Sequence, residues 1–357
     1  MKIALITDTH WGVRNDSQVF LNYFKKFYEE SFFKYLDENN IKSIIHLGDI
    51  VDRRKYINYV TLREFKQNFV EQVKKRNIDF HVIVGNHDIP YRNTNEVNAM
   101  REIFTHGGKE YVTTYAEPTS RVFDGLEIAF MPWISSGNHN TCLKFIETTT
   151  AQVLFGHLEL AGFEMSRGLA QEHGYSADLF KNFDLVASGH YHHKSSKGNI
   201  NYLGAPYEMT WHDYNDPRGF HIFDTDTRDL HFIANPYKMF YKIWYDDENK
   251  TIDEVLQSDY SAYTNTYVKV IVTSKTNPYW FDKFLDSLYK ADPANVSIVD
   301  DNKNFDQLDE DEIINEAEDT LSIMSKYVDN VPLDVPKNDL NKLLQSLYTE
   351  AQSLDIH

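Results

Sequence analysis

Val82-Ile83-Val84-Gly85-Asn86-His87-Asp88 decides how the whole chain is read. Three β-branched residues are too short a run for a helix and suit a buried strand. The run stops at a glycine, and an amide, an imidazole and a carboxylate follow in consecutive positions. Four other stretches repeat the plan. Residues 3–6 lead into Thr7-Asp8-Thr9-His10, 44–47 into Gly48-Asp49, 153–155 into Gly156-His157, and 185–187 into Ser188-Gly189-His190-Tyr191-His192. The C-terminal edge of the strands is where open α/β sheets hold their ligands, so five strand ends predict one shared site.

Outward from that stretch, the first third alternates strand and helix. Aromatic residues recur at helical spacing over 17–38 (Phe20, Tyr23, Phe24, Phe27, Phe32, Tyr35), and Leu62, Phe65, Phe69 and Val73 share one face over 59–76. With strands at 3–6, 41–47 and 79–84, this is a β-α-β-α-β start with parallel strands and helices packed against them. A short helix is predicted at 96–104, ended by Gly107-Gly108. Residues 109–133 read as short strands around the turn Asp124-Gly125. Buried strands return at 151–156 and 183–188, and more short strands lie within 199–233. Two sheets packed face to face with outer helices accommodate both halves. From Tyr237 a small α+β unit follows, with strands at 240–245, 267–273 and 296–299 and helices at 252–257 and 279–289. Residues 300–311 are an acidic linker. Two amphipathic helices close the chain at about 312–328 and 337–354, split by Pro332 and Pro336.

Bulk composition narrows the class. The 357 residues are 41% hydrophobic, enough for a full core. No apolar run approaches the roughly 18 residues that span a bilayer, and the four apolar residues before Thr7 make a strand rather than a signal peptide. Cys142 is the only cysteine, which excludes an internal disulfide and a thiolate metal cage. An intracellular, cytoplasmic protein is the simplest account. The net charge of −18 opposes general attraction to nucleic acid. Residues 300–357 carry 15 acidic and 4 basic residues, however, so the first 299 residues hold only −7. Basic clusters at Arg53-Arg54-Lys55 and Lys74-Lys75-Arg76 leave a local nucleic-acid surface open, beside their ordinary reading as solvated helix ends and loops.

The chemistry follows from the collected residues Asp8, His10, Asp49, Asn86, His87, His157, His190 and His192. Oxygen and imidazole donors without sulfur suit Mn, Fe, Zn or Mg. Asp8-x-His10 and His190-x-His192 place both partners on one face of an extended segment. Eight groups are too many for one divalent ion and suit two ions sharing a carboxylate, for which Asp49 is the candidate. Two ions about 3.5–4 Å apart form a clamp for in-line attack of hydroxide on phosphorus. A lone Gly-Asp or Gly-His carries no such weight, and a lone histidine is commonly structural; the ordered set of five carries the reading. His46 reads as a core or supporting residue, His193 faces away from the site, and Trp11 and Tyr191 are either packing residues or stacking surfaces for bases.

In order and spacing these motifs resemble the calcineurin-like metallophosphoesterases, and within them the SbcD-type nuclease subunits of double-strand-break repair complexes, most closely the phage members. Residues 1–235 carry the likeness. Gly48-Asp49-Ile50-Val51-Asp52-Arg53-Arg54-Lys55, Gly156-His157-Leu158-Glu159-Leu160, Tyr202-Leu203-Gly204-Ala205-Pro206 and Asp216-Pro217-Arg218-Gly219-Phe220 support the narrower match. The resemblance implies a two-sheet α/β/β/α sandwich over 1–236, a small α+β capping, DNA-binding domain over 237–299, the linker 300–311, and a C-terminal helical hairpin over 312–357 that binds an SMC-like ATPase subunit. It implies one metal on Asp8, His10, Asp49 and His192 and another on Asp49, Asn86, His157 and His190, with Mn2+ as the ion and Mg2+ as the alternative. His87 is then the general acid on the leaving oxygen, and Asp88 orients His87. Many relatives carry His where this chain has Asp52, which is free to hold Arg53 or Arg54 instead. A homodimer through the 59–104 helices is also implied.

The leading expectation is therefore a metal-dependent DNA nuclease, 3′-to-5′ on duplex ends and endonucleolytic on single strands, acting in repair and recombination, in the host cytoplasm if phage-encoded. A phosphatase or phosphodiesterase of the same superfamily acting on a small or protein substrate is the alternative, and a non-catalytic scaffold a third. The ATPase partner is what the resemblance implies, since nothing like a phosphate-cradling P-loop occurs in this chain.

Overall fold

The computed structural model describes residues 1–104, 112–256 and 259–300, with Val328, Leu340 and Leu343. The helix stop expected at Gly107-Gly108 and, those three residues and Asp300 apart, the expected linker and terminal hairpin lie outside the described residues. The chain divides into two units, Met1–Val299 and Asp300–His357; the elements below lie in the first, save Asp300 at the end of the last strand. No helix among the described residues is long and apolar enough to cross a membrane.

In chain order the strands are β1 (Lys2–Ile6), β2 (Ser43–His46), β3 (Asp79–Ile83), β4 (Val112–Tyr115), β5 (Thr119–Phe123), β6 (Leu126–Met131), β7 (Val153–His157), the small hairpin β8 (Glu164–Ser166) and β9 (Leu169–Ala170), β10 (Leu185–Gly189), β11 (Ser195–Lys197), β12 (Ile200–Tyr202), β13 (Gly219–Asp224), β14 (Leu230–Ala234), β15 (Phe240–Asp246), β16 (Tyr267–Ser274) and β17 (Asn295–Asp300). One six-stranded sheet has the order β14-β13-β1-β2-β3-β4 and the other β11-β12-β10-β7-β6-β5. β1 to β4 run parallel, with Leu5 opposite Ile45 and Ile45 opposite His81. In the second sheet β6, β7, β10 and β12 run parallel.

Period-two alternation explains the layers. Ile3, Leu5, Ile45, Leu47 and Ile83 of the first sheet pack against Ile128, Phe130, Val153, Phe155 and Ala187 of the second. Across the interface, the rings of Phe155 and Phe223 lie 5.2 Å apart. The alternate residues Ala4, Ile6, Ile44 and Val82 point the other way, into a layer with Phe20, Phe24, Phe27, Phe32, Phe65 and Phe69. The expected two-sheet α/β sandwich is the fold observed.

Several elements differ from expectation. The helix over 17–38 is Gln18–Phe27, a π-helical turn at Tyr28–Phe32, then Phe33–Glu38. The helix over 59–76 likewise passes from Tyr59–Phe65 through a π turn at Lys66–Val70 to Glu71–Lys75. The wider turns re-aim each aromatic stripe: Tyr28 meets Phe69 at 5.3 Å and lies parallel to Trp11 at 5.5 Å. The helix placed at 96–104 begins only at Ala99, where the Asn98 carboxamide accepts the Arg101 amide. Helix His139–Thr148 was not anticipated, because only Cys142 and Ile146 of it are buried and its apolar period is faint. β4 joins β3 in the first sheet, while β5 and β6 form the hairpin around Asp124-Gly125, both at positive φ as a tight hairpin turn requires.

Beyond residue 237, β15 and β16 pair in parallel within a three-stranded sheet. Helix Pro278–Lys290 covers one face with Phe281, Phe284 and Leu288 over Ile243, Tyr245, Val268, Val270 and Val272. Phe240 seats this small sheet on the main body, 4.8 Å from Trp211 and 6.2 Å from Phe20.

Candidate metal centre

Five strand ends meet here, β1 to β3 from one sheet and β7 and β10 from the other. Past the strand ends the backbone ladder continues. Asp8 N donates to Gly48 O at 3.0 Å, His10 N to Asp49 O at 3.1 Å and Trp11 N to Ile50 O at 2.8 Å. This ladder holds a left-handed backbone at Asp8 (φ 51°), His10 (39°) and Asp49 (57°), and His190 (89°), whose amide donates to the Asp8 carboxylate, has one too. Non-glycine residues held this way cost about 1–3 kcal/mol each and persist where the surroundings over-determine them. Two glycines are dictated by the close approach of the loops: a Cβ at Gly85 would strike the Asp49 carboxylate, and one at Gly189 would strike the Thr7 hydroxyl.

All the expected donors converge. His10 Nε2 and His192 Nε2 are 3.0 Å apart. The Asn86 carboxamide oxygen lies 3.0 Å from both His157 Nε2 and His190 Nδ1. Asp49 Oδ2 sits between the two groups, 3.3 Å from His157 Nε2 and 3.8 Å from His10 Nε2. Ligand atoms of Asp8, His10 and His192, of Asp49, His157 and His190, and of His10, Asp49 and His87 each lie within 4.8 Å of one another. Buried nitrogens and oxygens at about 3 Å are spaced as ligands around a common cation with bonds of about 2.1 Å. His157 Nδ1 donates to Leu47 O at 2.7 Å, which fixes that ring with Nε2 toward the cluster. The residues fit two divalent ions with Asp49 between them.

His87 and Asp88 take different places from those the sequence suggested. His87, half-buried, is held through Nδ1 by the backbone carbonyl of Asp52 at 2.6 Å, and its amide donates to Asp49 Oδ1 at 2.8 Å. The expectation that Asp88 orients the His87 ring is corrected. Asp88 is fully buried, and its two oxygens accept the amides of Gly85 and Asp49 (2.9 Å each), Ile50 (3.0 Å) and Val51 (3.4 Å). It pins the loop that carries Asp49, because strand geometry sends it inward between two loops of unpaired amides. Asp52 does not hold Arg53 either. Its carboxylate lies 3.5 Å from His10 Nδ1, while Arg53 pairs with Asp16 at 2.9 Å.

Charge at the site follows from burial and proximity. Burial pushes Asp8 up to about 6 against the pull of His157. Burial works against charge on Asp49 too, yet His157 and His87 hold it well below the usual carboxylate range. His157 is driven the other way: burial opposes its charge, but Asp49 raises it to about 9. Burial keeps His190 and His192 neutral, helped by His157 and His10 respectively, and lowers His87 as well. The metal-free site thus holds a His157–Asp49 ion pair, with His190 and His192 neutral beside it.

The remaining sequence candidates resolve as packing. His46 is buried between the Thr9 hydroxyl and the Gly48 amide, His193 turns to Asp216, Trp11 is sandwiched in the aromatic layer, and Tyr191 donates to Leu160 O. Trp133 was missed. Its ring lies 5.0 Å from His190 and 6.1 Å from His157, and Asn95 and Asn138 both donate to its carbonyl. It lies two residues past the end of β6 without a Gly-polar signature, so no local pattern marks it.

The fold and site define a metal-dependent phosphoesterase, and the chain belongs to the calcineurin-like phosphoesterases, whose family model matches residues 1–194. It is 34% identical over 358 residues to Exonuclease subunit 1 of Enterobacteria phage T4, a match spanning 98% of this chain and 99% of that protein. It is 27% identical over 202 residues to the DNA double-strand break repair protein Mre11 of Sulfolobus acidocaldarius and 28% identical over 199 residues to that of Thermoplasma acidophilum. Those two matches span 54% and 52% of this chain and half of each archaeal protein.

Proposed function

We propose that this protein is a two-metal DNA nuclease, cutting 3′-to-5′ from duplex ends and endonucleolytically in single strands, in double-strand-break repair and recombination with an SMC-like ATPase subunit. The observation that carries the reading is likeness along essentially the whole chain to a phage exonuclease subunit, in a chain whose eight candidate residues meet at one centre. In this reading Asp8, His10, Asp49 and His192 hold one ion and Asp49, Asn86, His157 and His190 the other, Mn2+ in preference to Mg2+. Bound there, the ions would neutralise phosphoryl oxygens and lower the pKa of water. Asp49 joins the two halves, and His157 keeps its ligating nitrogen inward through the Leu47 carbonyl. His87, the half-buried histidine braced by the Asp52 carbonyl, faces the leaving oxygen and donates a proton to it.

Residues 1–236 form the nuclease domain and 237–299 the DNA-binding cap; 300–311 link them to helices over 312–357 that bind the ATPase. Exposed Tyr59, Val60, Tyr91 and Val97 support self-association through the 59–104 region. The site of action is the cytoplasm, that of the host for a phage-encoded protein.

The test is digestion of end-labelled duplex and single-stranded DNA with Mn2+, Mg2+ or chelator, beside His87→Ala. Metal-dependent cleavage, reduced about 10²–10⁴-fold in His87→Ala at unchanged metal content, is expected. Metal loss in His87→Ala would make it a ligand. Hydrolysis of a small aryl phosphodiester with no DNA cleavage, even with the ATPase subunit present, would favour a phosphatase.

A further inference from the structure

Arg218 is 6% exposed and sits outside the ligand cluster. One Nη donates to Asp213 Oδ1 at 2.6 Å and Asp216 Oδ2 at 2.9 Å; the other donates to the backbone carbonyl of His192. That carbonyl also accepts the Ala205 amide at 3.0 Å, so both its lone pairs are used. The Arg218 Nε is buried without a hydrogen-bond partner. The guanidinium is thus aimed at these three acceptors at the expense of its own satisfaction.

The contacts run on. Asp213 Oδ2 accepts the amides of Met209 (2.7 Å) and Thr210 (2.9 Å). The preceding residue, Glu208, is buried, and its carboxylate accepts the amides of Met239 (2.6 Å) and Phe240 (2.9 Å), where β15 begins. A chain of charged groups therefore leads from the first residues of the small sheet to the peptide of His192. Burial of one Arg with two carboxylates is a poor route to stability, since apolar residues of the same volume often serve as well or better. As a structural ion pair it would also need no bond to the His192 peptide.

We infer that Arg218 is a positioning residue for His192, and that Glu208, Asp213 and Arg218 form a brace by which the seat of the 237–299 segment sets the ion held by Asp8, His10 and His192. This rests on the two-metal reading above. The brace acts on the backbone of His192, and the 3.0 Å approach of its ring to His10 depends on it. The other ion, held by residues that Arg218 does not touch, is independent of the brace.

The experiment is titration of metal-stripped, full-length protein with Mn2+, followed by electron paramagnetic resonance, for wild type, Arg218→Lys and Asp213→Asn, with thermal melts alongside. Wild type takes up two ions. Arg218→Lys keeps the charge but cannot span three acceptors, and is expected to weaken one ion about 10–100-fold and leave the other within two-fold. Asp213→Asn still offers an oxygen to Met209 and Thr210 but turns an amide toward the guanidinium, and should weaken the same ion; it serves if Arg218→Lys does not fold. Two folded variants with both affinities unchanged, or with both ions weakened equally, would overturn the brace. A wild-type protein that binds no pair of ions would instead overturn the two-metal reading beneath it.

Discussion

His157 receives opposing instructions from its surroundings. Its full burial favours the neutral ring, while Asp49 at 3.3 Å and the Leu47 carbonyl at 2.7 Å favour the imidazolium, and the balance lies at about 9. A ligating imidazole must be neutral, so below that pH an incoming ion displaces a proton. Affinity for Mn2+ is therefore expected to rise with pH toward 9 and then level, with proton release near pH 7.5; calorimetry in two buffers of different ionisation enthalpy measures it. Release of no proton would contradict the His157–Asp49 pair. The sign for stability is the opposite. The folded value lies above the ordinary 6.5, so this pair's contribution to the metal-free protein is complete below 6.5 and lost as pH rises through 9. The candidacy of His157 as a ligand was legible from Gly156-His157 after an apolar run. Its charged state was not, because Asp49 lies 108 positions away in sequence.

At the scale of elements, the loop after β2 depends on a residue from the loop after β3. Asp88→Ala would leave the amides of Gly85, Asp49, Ile50 and Val51 without their acceptor. Unmet buried donors cost about 1–3 kcal/mol each; with partial relief by water, a loss of about 3 kcal/mol in denaturant unfolding is expected, together with weaker metal binding. Asp88→Asn, which keeps one acceptor oxygen, should lose less. If Asp88 served only to orient His87, Asp88→Ala would lower turnover without touching stability or metal content. Strands ending in Gly-polar pairs were readable because β-branched runs and glycines carry their own conformational preference. The π turns at Tyr28–Phe32 and Lys66–Val70 were not, because the extra residue per turn answers to packing between two distant helices.

Across the whole molecule, charge is distributed against the net value. Lys242 and Lys269 are direct cross-strand neighbours on β15 and β16. Like charges so placed repel, yet each ammonium lies over an aromatic ring, Tyr214 at 4.9 Å and Trp211 at 4.5 Å. Trp244, two positions on, is 56% exposed. This face suits a phosphate backbone with stacking bases. The double variant Lys242→Glu/Lys269→Glu is expected to weaken duplex binding about ten-fold or more and to flatten its salt dependence by roughly two charges. Hydrolysis of a small aryl phosphodiester should be unchanged. Equal loss on both substrates would place the lysines in the fold rather than on the DNA path.

From sequence alone, the candidate donor types, their order, the parallel start of the first sheet and the phosphoesterase class were legible, because each rests on a short-range signal: alternation, a glycine at a strand end, or the chemistry of oxygen and imidazole. Tertiary structure alone decided that Asp88 serves a loop and not a ring, that Asp52 turns to His10, and that Trp133 and Arg218 attend the site. Those assignments depend on which backbone amides and carbonyls remain unpaired once two sheets close on each other, and no single stretch of chain encodes that.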